Sequence, residues 1–201
     1  MIYVLATNNP GKAKEIKPPF EEAGLEIITL AELGLFFEAG EDGDTFYANA
    51  LQKAQETAAY IKAHATSITI NCDELAVIAD DSGLVIDALG GAPGVHSALF
   101  MGRDTPYLTR CNAIISKLDK QRTARFVCTL VCLFADNTVI TAEGSVEGSI
   151  THKPHGSGGF GYDPIFYYPP LGKTMAELTK DEKNLVSHRG KAIRHLIQAL
   201  T

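Results

Sequence analysis

The segment Asp80-Asp81-Ser82-Gly83 sets two adjacent carboxylates at the C-terminal end of the apolar run Leu75 to Ala79. Open α/β sheets offer ligand groups at such strand ends, and neighbouring carboxylates are costly there unless a cation joins them. Magnesium takes one or two carboxylates and completes its shell with phosphate oxygens and water. This pair with a partner such as Glu41 therefore suits a magnesium–phosphate site better than a zinc site. Glu38 and Asp42 stand beside Glu41, so the second metal carboxylate is open among the three. Asp, Ser and Gly also form turns, so the apolar run is expected to stop at Asp80 and to resume at Leu84-Val85-Ile86.

Two cationic segments complement these acids. Thr7-Asn8-Asn9-Pro10-Gly11-Lys12 follows the apolar Ile2 to Ala6 and opens a helix-forming stretch. Free N–H groups and the helix dipole favour an anion at such a place, a phosphate or a carboxylate. Near the C-terminus, Lys183, Ser187, His188, Arg189 and Lys191 crowd together. At roughly 100° per residue, one unbroken helix would scatter Lys183, His188 and Arg189 around its circumference. A break resolves this: with Ser187 as N-cap, His188 and Arg189 fall in the first turn of the last helix, and Lys183 arrives from the preceding loop. Gly172-Lys173-Thr174 resembles the end of a P-loop, but Tyr167 stands where that motif needs glycine. Gly90-Gly91-Ala92-Pro93-Gly94 lacks the dinucleotide-binding spacing.

The elements that must position these residues alternate in an α/β order. Ile2 to Ala6 reads as a strand, followed by a helix around Ala13 to Ile16 that Pro18-Pro19 should limit. Leu25 to Leu30 is a second strand and Phe36 to Asp44 an acidic loop. Thr45 to His64 is the clearest helix, with Phe46, Ala50, Lys53, Ala54, Thr57, Ala58 and Ile61 at three- and four-residue steps and Asp44 as its expected N-cap. Thr105 to Leu118 is helical in pattern. Arg125 to Ala135 and Thr138 to Val146 flank an Asp136-Asn137 turn, which predicts an antiparallel hairpin and so a mixed sheet. Ile193, Leu196, Ile197 and Leu200 form the apolar stripe of a closing helix.

At 201 residues the chain is expected to form a single domain over 1–201. Eighteen Lys and Arg against 24 Asp and Glu leave −6, the wrong sign for holding polymeric nucleic acid. No run approaches the ~20 apolar residues of a membrane helix, and Ile2 to Ala6 is too short for a secretory leader, so a cytoplasmic protein with no membrane partner is expected. Cys72, Cys111, Cys128 and Cys132 make no CxxC pair and are expected as buried, reduced thiols.

Several segments together resemble the inosine triphosphate pyrophosphatase family. They are Thr7 to Lys12, Asn49-Ala50 with Lys53-Ala54, Ala79 to Leu84, Pro93-Gly94 with Ser97-Ala98, Gly158 to Phe166, Lys173-Thr174 with Ala176-Glu177-Leu178, and Ser187 to Ala192. The resemblance spans the chain in the family's order. It implies a long mixed, twisted sheet with flanking helices, two lobes around a nucleotide-binding cleft, and a homodimer. It also implies Mg²⁺-dependent cleavage of inosine, deoxyinosine or xanthosine triphosphate between the α and β phosphates, giving monophosphate and pyrophosphate. By the same resemblance Asp81 is the general base and a metal ligand, and Glu41 the second metal carboxylate. Thr7, Asn8, Asn9, Pro10, Gly11, Lys12, Ser82, Lys183 and Arg189 contact phosphate or nucleotide, while Phe160, Gly161, Tyr162, Asp163, His188 and Arg189 hold sugar and base.

The chain departs from the family at Ala48, where Glu is common before Asn-Ala, and at His96, where Tyr is usual. Thr66 to Glu74 is expected as a surface insertion. The related Maf-type pyrophosphatases, and a nucleotide-binding module without turnover, are the alternative readings.

Overall fold

A computed structural model describes residues 1–65 and 74–201. The expected insertion Thr66 to Glu74 lies outside the described residues apart from Glu74, and so does Cys72. Seven strands form one mixed sheet: β1 Ile2–Leu5, β2 Ile27–Thr29, β3 Leu75–Ile86, β4 Thr123–Phe134, β5 Val139–Ile150, β6 Phe166–Tyr168 and β7 Lys173–Thr174. Their spatial order is β2-β1-β3-β4-β5-β6-β7. β1 runs parallel to β2 and β3, whereas β5–β6 and β6–β7 are antiparallel, so the mixed α/β sheet is as expected. The β4–β5 hairpin closes at Asp136-Asn137, where Asn137 takes φ +67 and the Phe134 N–H bonds the Thr138 carbonyl.

The helices are α1 Pro10–Glu22, α2 Phe46–Ala63, α3 Tyr107–Lys117, α4 Lys180–Val186 and α5 His188–Leu200. Three local expectations need correction. Pro18-Pro19 do not limit α1 but lie inside it. A proline in a helix interior costs about 3 kcal/mol, yet Ile16 and Phe20 on either side are fully buried, and burying such side chains returns about 1.5–3 kcal/mol each. The N-cap of α2 is Thr45, not Asp44: its extended backbone lets the hydroxyl accept the Ala48 N–H at 3.0 Å. The third correction concerns β3, which does not stop at Asp80 but continues to Ile86, because both acidic side chains gain cationic or amide partners and stay within the sheet.

The chain forms two compact units. The first comprises Met1–Asp81, Cys128–Glu143 and Ala192–Thr201, and the second Ser82–Val127 and Gly144–Lys191. In the first unit, one sheet face (Tyr3, Leu5, Ala76, Ile78, Cys128, Leu130) packs on Ile16 and Phe20 of α1 and Ile193 and Leu196 of α5. The opposite face (Val4, Ala6, Val77, Ala79, Val131) packs on Ala50, Ala54 and Ile61 of α2. The second unit's core gathers Leu84, Ile86, Ile114, Phe126, Ile150, Tyr162, Ile165 and Phe166. Cys111, Cys128 and Cys132 are buried thiols outside any disulfide, as expected of reduced core cysteines. Burial pushes the Cys111 thiol up to about 11 and the Cys132 thiol up to about 12. Among the described residues no helix is long and apolar enough to cross a membrane.

Candidate functional site

Strand alternation decides what each acid of β3 meets. Successive side chains point to opposite faces, so Asp80 follows Ile78 toward α1 and Asp81 follows Ala79 toward α2. Asp80, 1% exposed, pairs through Oδ2 with Lys12 Nζ at 3.0 Å in the first turn of α1. Asp81, 4% exposed, accepts the Asn49 side-chain N–H at Oδ2 (3.0 Å), and its Oδ1 lies 3.5 Å from Lys53 Nζ. Lys53 also reaches Glu41 Oε1 at 2.7 Å. Burial is the largest influence on Asp81 and holds its carboxyl above the usual carboxylate range. Lys53, Lys12 and the Asn49 hydrogen bond pull the other way, and Glu41 adds to the rise. Lys53 lies above its ordinary value: burial opposes its charge, and the combined attraction of Asp80, Asp81 and Glu41 outweighs it.

Asp81 and Glu41 are oxygen donors that converge on one cation, the Lys53 ammonium, which is the donor chemistry magnesium accepts. They would hold the metal. Among the described residues no group of three His, Cys, Asp or Glu is assembled for one. Of the three acids open for the second position, Glu41 is the one bonded to Lys53 beside Asp81.

The segment from Thr7 to Lys12 leads from β1 into α1, but the N–H groups of Thr7, Asn9, Gly11 and Lys12 are engaged. Asn9 caps the helix, its Oδ1 accepting from Gly11 (2.8 Å) and Lys12 (3.3 Å), and Thr7 Oγ1 accepts the Asn9 N–H. Asn8 donates to the Phe37 carbonyl at 2.9 Å, and Pro10 has no N–H. What this turn holds for an anion is thus mainly side chains, the Thr7 hydroxyl and the Lys12 ammonium, itself paired with Asp80, beside the Asn8 main-chain N–H.

The second unit holds the other group. Ser187 ends α4 and caps α5, accepting the Gly190 N–H at 3.1 Å, as the break between the two requires. Lys183 comes from the short helix α4 instead of a loop, because Thr179 and Glu182 form a capping box that starts a helix there. Lys183, 6% exposed, is ion-paired with Asp163, whose Oδ2 also accepts the Phe160 N–H at 2.8 Å. The Phe160 ring centroid lies 4.9 Å from Lys183 Nζ and 5.4 Å from the Arg189 guanidinium carbon, so one aromatic ring carries two cations. Arg189 donates to Ser82 Oγ at 2.7 Å. Gly159 makes this packing possible: it sits at φ +67, and a Cβ there would collide with the Asp163 carboxylate. His188 is buried and stacked on Phe126 at 4.7 Å, and Tyr162 is buried with its hydroxyl on the Ser97 carbonyl.

The structure therefore gathers Lys12, Glu41 and Asp81 in the first unit and Ser82, Phe160, Asp163, Lys183 and Arg189 in the second. Gly161 and Tyr162 stand in the turn before Asp163, and Asp163, 3% exposed, spends its carboxylate on Lys183 and Phe160. Sequence reasoning gave no role to Asn49 or Lys53, and it set Asp80 with Asp81 as a pair for one metal, whereas Asp80 pairs with Lys12 and Asp81 with Asn49 and Lys53. The signal for Lys53 was present, as a lysine on the core-facing stripe of α2 has to meet buried acids.

A sequence profile described as the Ham1 family matches residues 3–199. The dITP/XTP pyrophosphatase of Pectobacterium atrosepticum is 47% identical over 203 residues, covering 98% of this chain and 96% of that protein. The dITP/XTP pyrophosphatase of Bacillus subtilis is 44% identical over 201 residues, covering 98% and 96%. The solved Ham1 protein of Staphylococcus aureus superposes with a TM-score of 0.84 at 37% identity, covering 100% of this chain and 98% of that one. With matches from the first strand to the last helix, in sequence and in structure, this chain belongs to the Ham1 family.

Proposed function

We propose that this chain hydrolyses non-standard purine nucleoside triphosphates (ITP, dITP and XTP) between the α and β phosphates, releasing monophosphate and pyrophosphate with Mg²⁺ as cofactor. One observation carries the reading: Asp81 is a buried carboxylate oriented by Asn49 and Lys53, with Glu41 on the same lysine, in a chain closely similar to dITP/XTP pyrophosphatases.

Magnesium held by Asp81 and Glu41 would neutralise phosphate charge, and a water attacks the α phosphorus. Asp81 orients that water and takes its proton, the bond from the α phosphorus to the bridging oxygen breaks, and pyrophosphate leaves with the electron pair. A carboxyl held above its usual range is a better proton acceptor, which fits this task. Lys12 and Thr7 meet phosphate oxygens, and Lys183, Ser82 and Arg189 meet the nucleotide. Phe160, whose ring already faces two cations, supplies an apolar wall for the base. We treat 1–201 as one catalytic domain, since β3, β4, β5 and α5 each contribute residues to both units. The three buried thiols among the described residues support a cytoplasmic setting.

Base choice follows from hydrogen bonding. Hypoxanthine and xanthine present a 6-oxo acceptor where adenine presents an amino donor, so a donor such as Arg189 or a backbone N–H is left facing another donor when ATP binds. With Mg²⁺, ITP, dITP and XTP are expected to exceed ATP in kcat/KM by at least about a hundredfold. Phosphate is expected only after inorganic pyrophosphatase is added. Orthophosphate without that enzyme, or equal rates on ATP, sinks the reading.

We also propose a homodimer, in keeping with the apolar side chains Leu99, Met101 and Leu108 that stand exposed on one segment. Sedimentation at micromolar concentration is expected to give twice the chain mass, and a monomer there overturns it.

A further inference from the structure

The loop that carries Glu41 lies along α2 in reverse order, each residue met by a polar side chain of one helix face. The Gly40 N–H donates to Glu56 Oε2 at 2.8 Å, and Glu41 Oε1 accepts from Lys53 at 2.7 Å. The Asp42 N–H donates to Gln52 Oε1 at 3.3 Å, and the Gly43 N–H to Asn49 Oδ1 at 2.7 Å. Gln52 Nε2 donates to Glu56 Oε1 at 2.9 Å and braces the ladder from within. Positions 49, 52, 53 and 56 are three- and four-residue neighbours on one face of a helix.

The two glycines of the loop let its backbone approach that closely. A Cβ at Gly40 would stand 2.6 Å from Gln52 Nε2, and one at Gly43 2.7 Å from Ala48 Cβ. Asn49 and Lys53 also touch Asp81, whereas among the described residues the hydrogen bonds of Gln52 and Glu56 go to the loop and to each other.

We propose that Gln52 and Glu56 are positioning residues that clamp 40–43 onto α2 and so keep the Glu41 carboxylate beside Asp81 for a divalent cation. This rests on Glu41 being the second metal carboxylate. The stretch from 36 to 44 has almost no secondary structure of its own, so without the clamp it spreads over many conformations and only a fraction of molecules present Glu41 correctly. Apparent affinity falls in proportion to that fraction, while turnover by the loaded enzyme does not.

The test titrates Mg²⁺ against dITP hydrolysis and, separately, follows Gly40 amide hydrogen exchange by NMR in metal-free protein. In Glu56→Ala the half-activating Mg²⁺ concentration is expected to rise about tenfold, with kcat at saturating metal within about twofold of the parent. Gly40 exchange is expected to speed up about tenfold. Gln52→Ala moves both readouts the same way. Glu56→Gln, which keeps one acceptor oxygen, recovers most of the loss. A metal curve that Glu41→Gln shifts and Glu56→Ala leaves in place overturns the clamp alone. A curve that Glu41→Gln itself leaves in place overturns the metal role of Glu41 and the clamp with it.

Discussion

Asp81→Asn is expected to lower kcat on ITP about a thousandfold, within the range that a positioned general base supplies. The substitution keeps the shape and still offers an oxygen to the Asn49 side chain, but it has no carboxylate to take a proton. Its effect on stability runs the other way. The folded protein holds the Asp81 carboxyl above its unfolded value, so the stability it contributes is full below the ordinary carboxylate range and is lost as pH rises through the folded value. At neutral pH the buried charge is a cost that Asn removes. The melting temperature of Asp81→Asn should match or exceed that of the parent at pH 7. A variant that melts normally and retains more than about a tenth of parental kcat removes Asp81 from the role of base.

Lys53→Met has the second largest effect, and it couples stability to pH. Lys53 balances three acids, and removing one partner of a buried charged cluster costs about 3–5 kcal/mol. In a chain of this size that corresponds to a fall in melting temperature of about 10 °C. Because the folded lysine lies above its unfolded value, its contribution is complete below about pH 10 and is lost only as pH rises through the folded value. The deficit of the variant should therefore persist throughout the neutral range. Asp81 loses its principal cationic neighbour and titrates higher still, so the acidic limb of kcat/KM moves to higher pH. Lys53→Arg keeps the charge and should hold the limb near its parental position. Equal acidic limbs in Lys53→Met and the parent would show that Lys53 does not tune Asp81.

The parts of the site legible in sequence were those whose chemistry is local. Ser187 capping α5 and the acidic loop before α2 both follow from residue type and spacing. What stayed hidden depends on distant partners. The turn-forming types in Asp80-Asp81-Ser82-Gly83 argue for a break, and only Lys12 from α1 and Lys53 and Asn49 from α2 make an unbroken strand affordable. Pro18-Pro19 argue for a helix end, and only the burial of Ile16 and Phe20 in the core keeps α1 going. Asn9 looked like one more polar loop residue, yet its side chain takes the N–H groups that a bare helix terminus would have offered an anion.

Asp80 and Asp81 are neighbours in sequence whose bonded partners lie on opposite faces of a strand. Two acids in a turn could clasp a metal ion in a short peptide or a half-made chain, but these two cannot, because the pleat points them apart. Glu41, the second ligand proposed above, comes from a remote stretch of the chain docked on α2. On the metal role proposed for Asp81 and Glu41, capture of the cation would follow the docking of 40–43 on α2, which makes it a consequence of folding in the first unit.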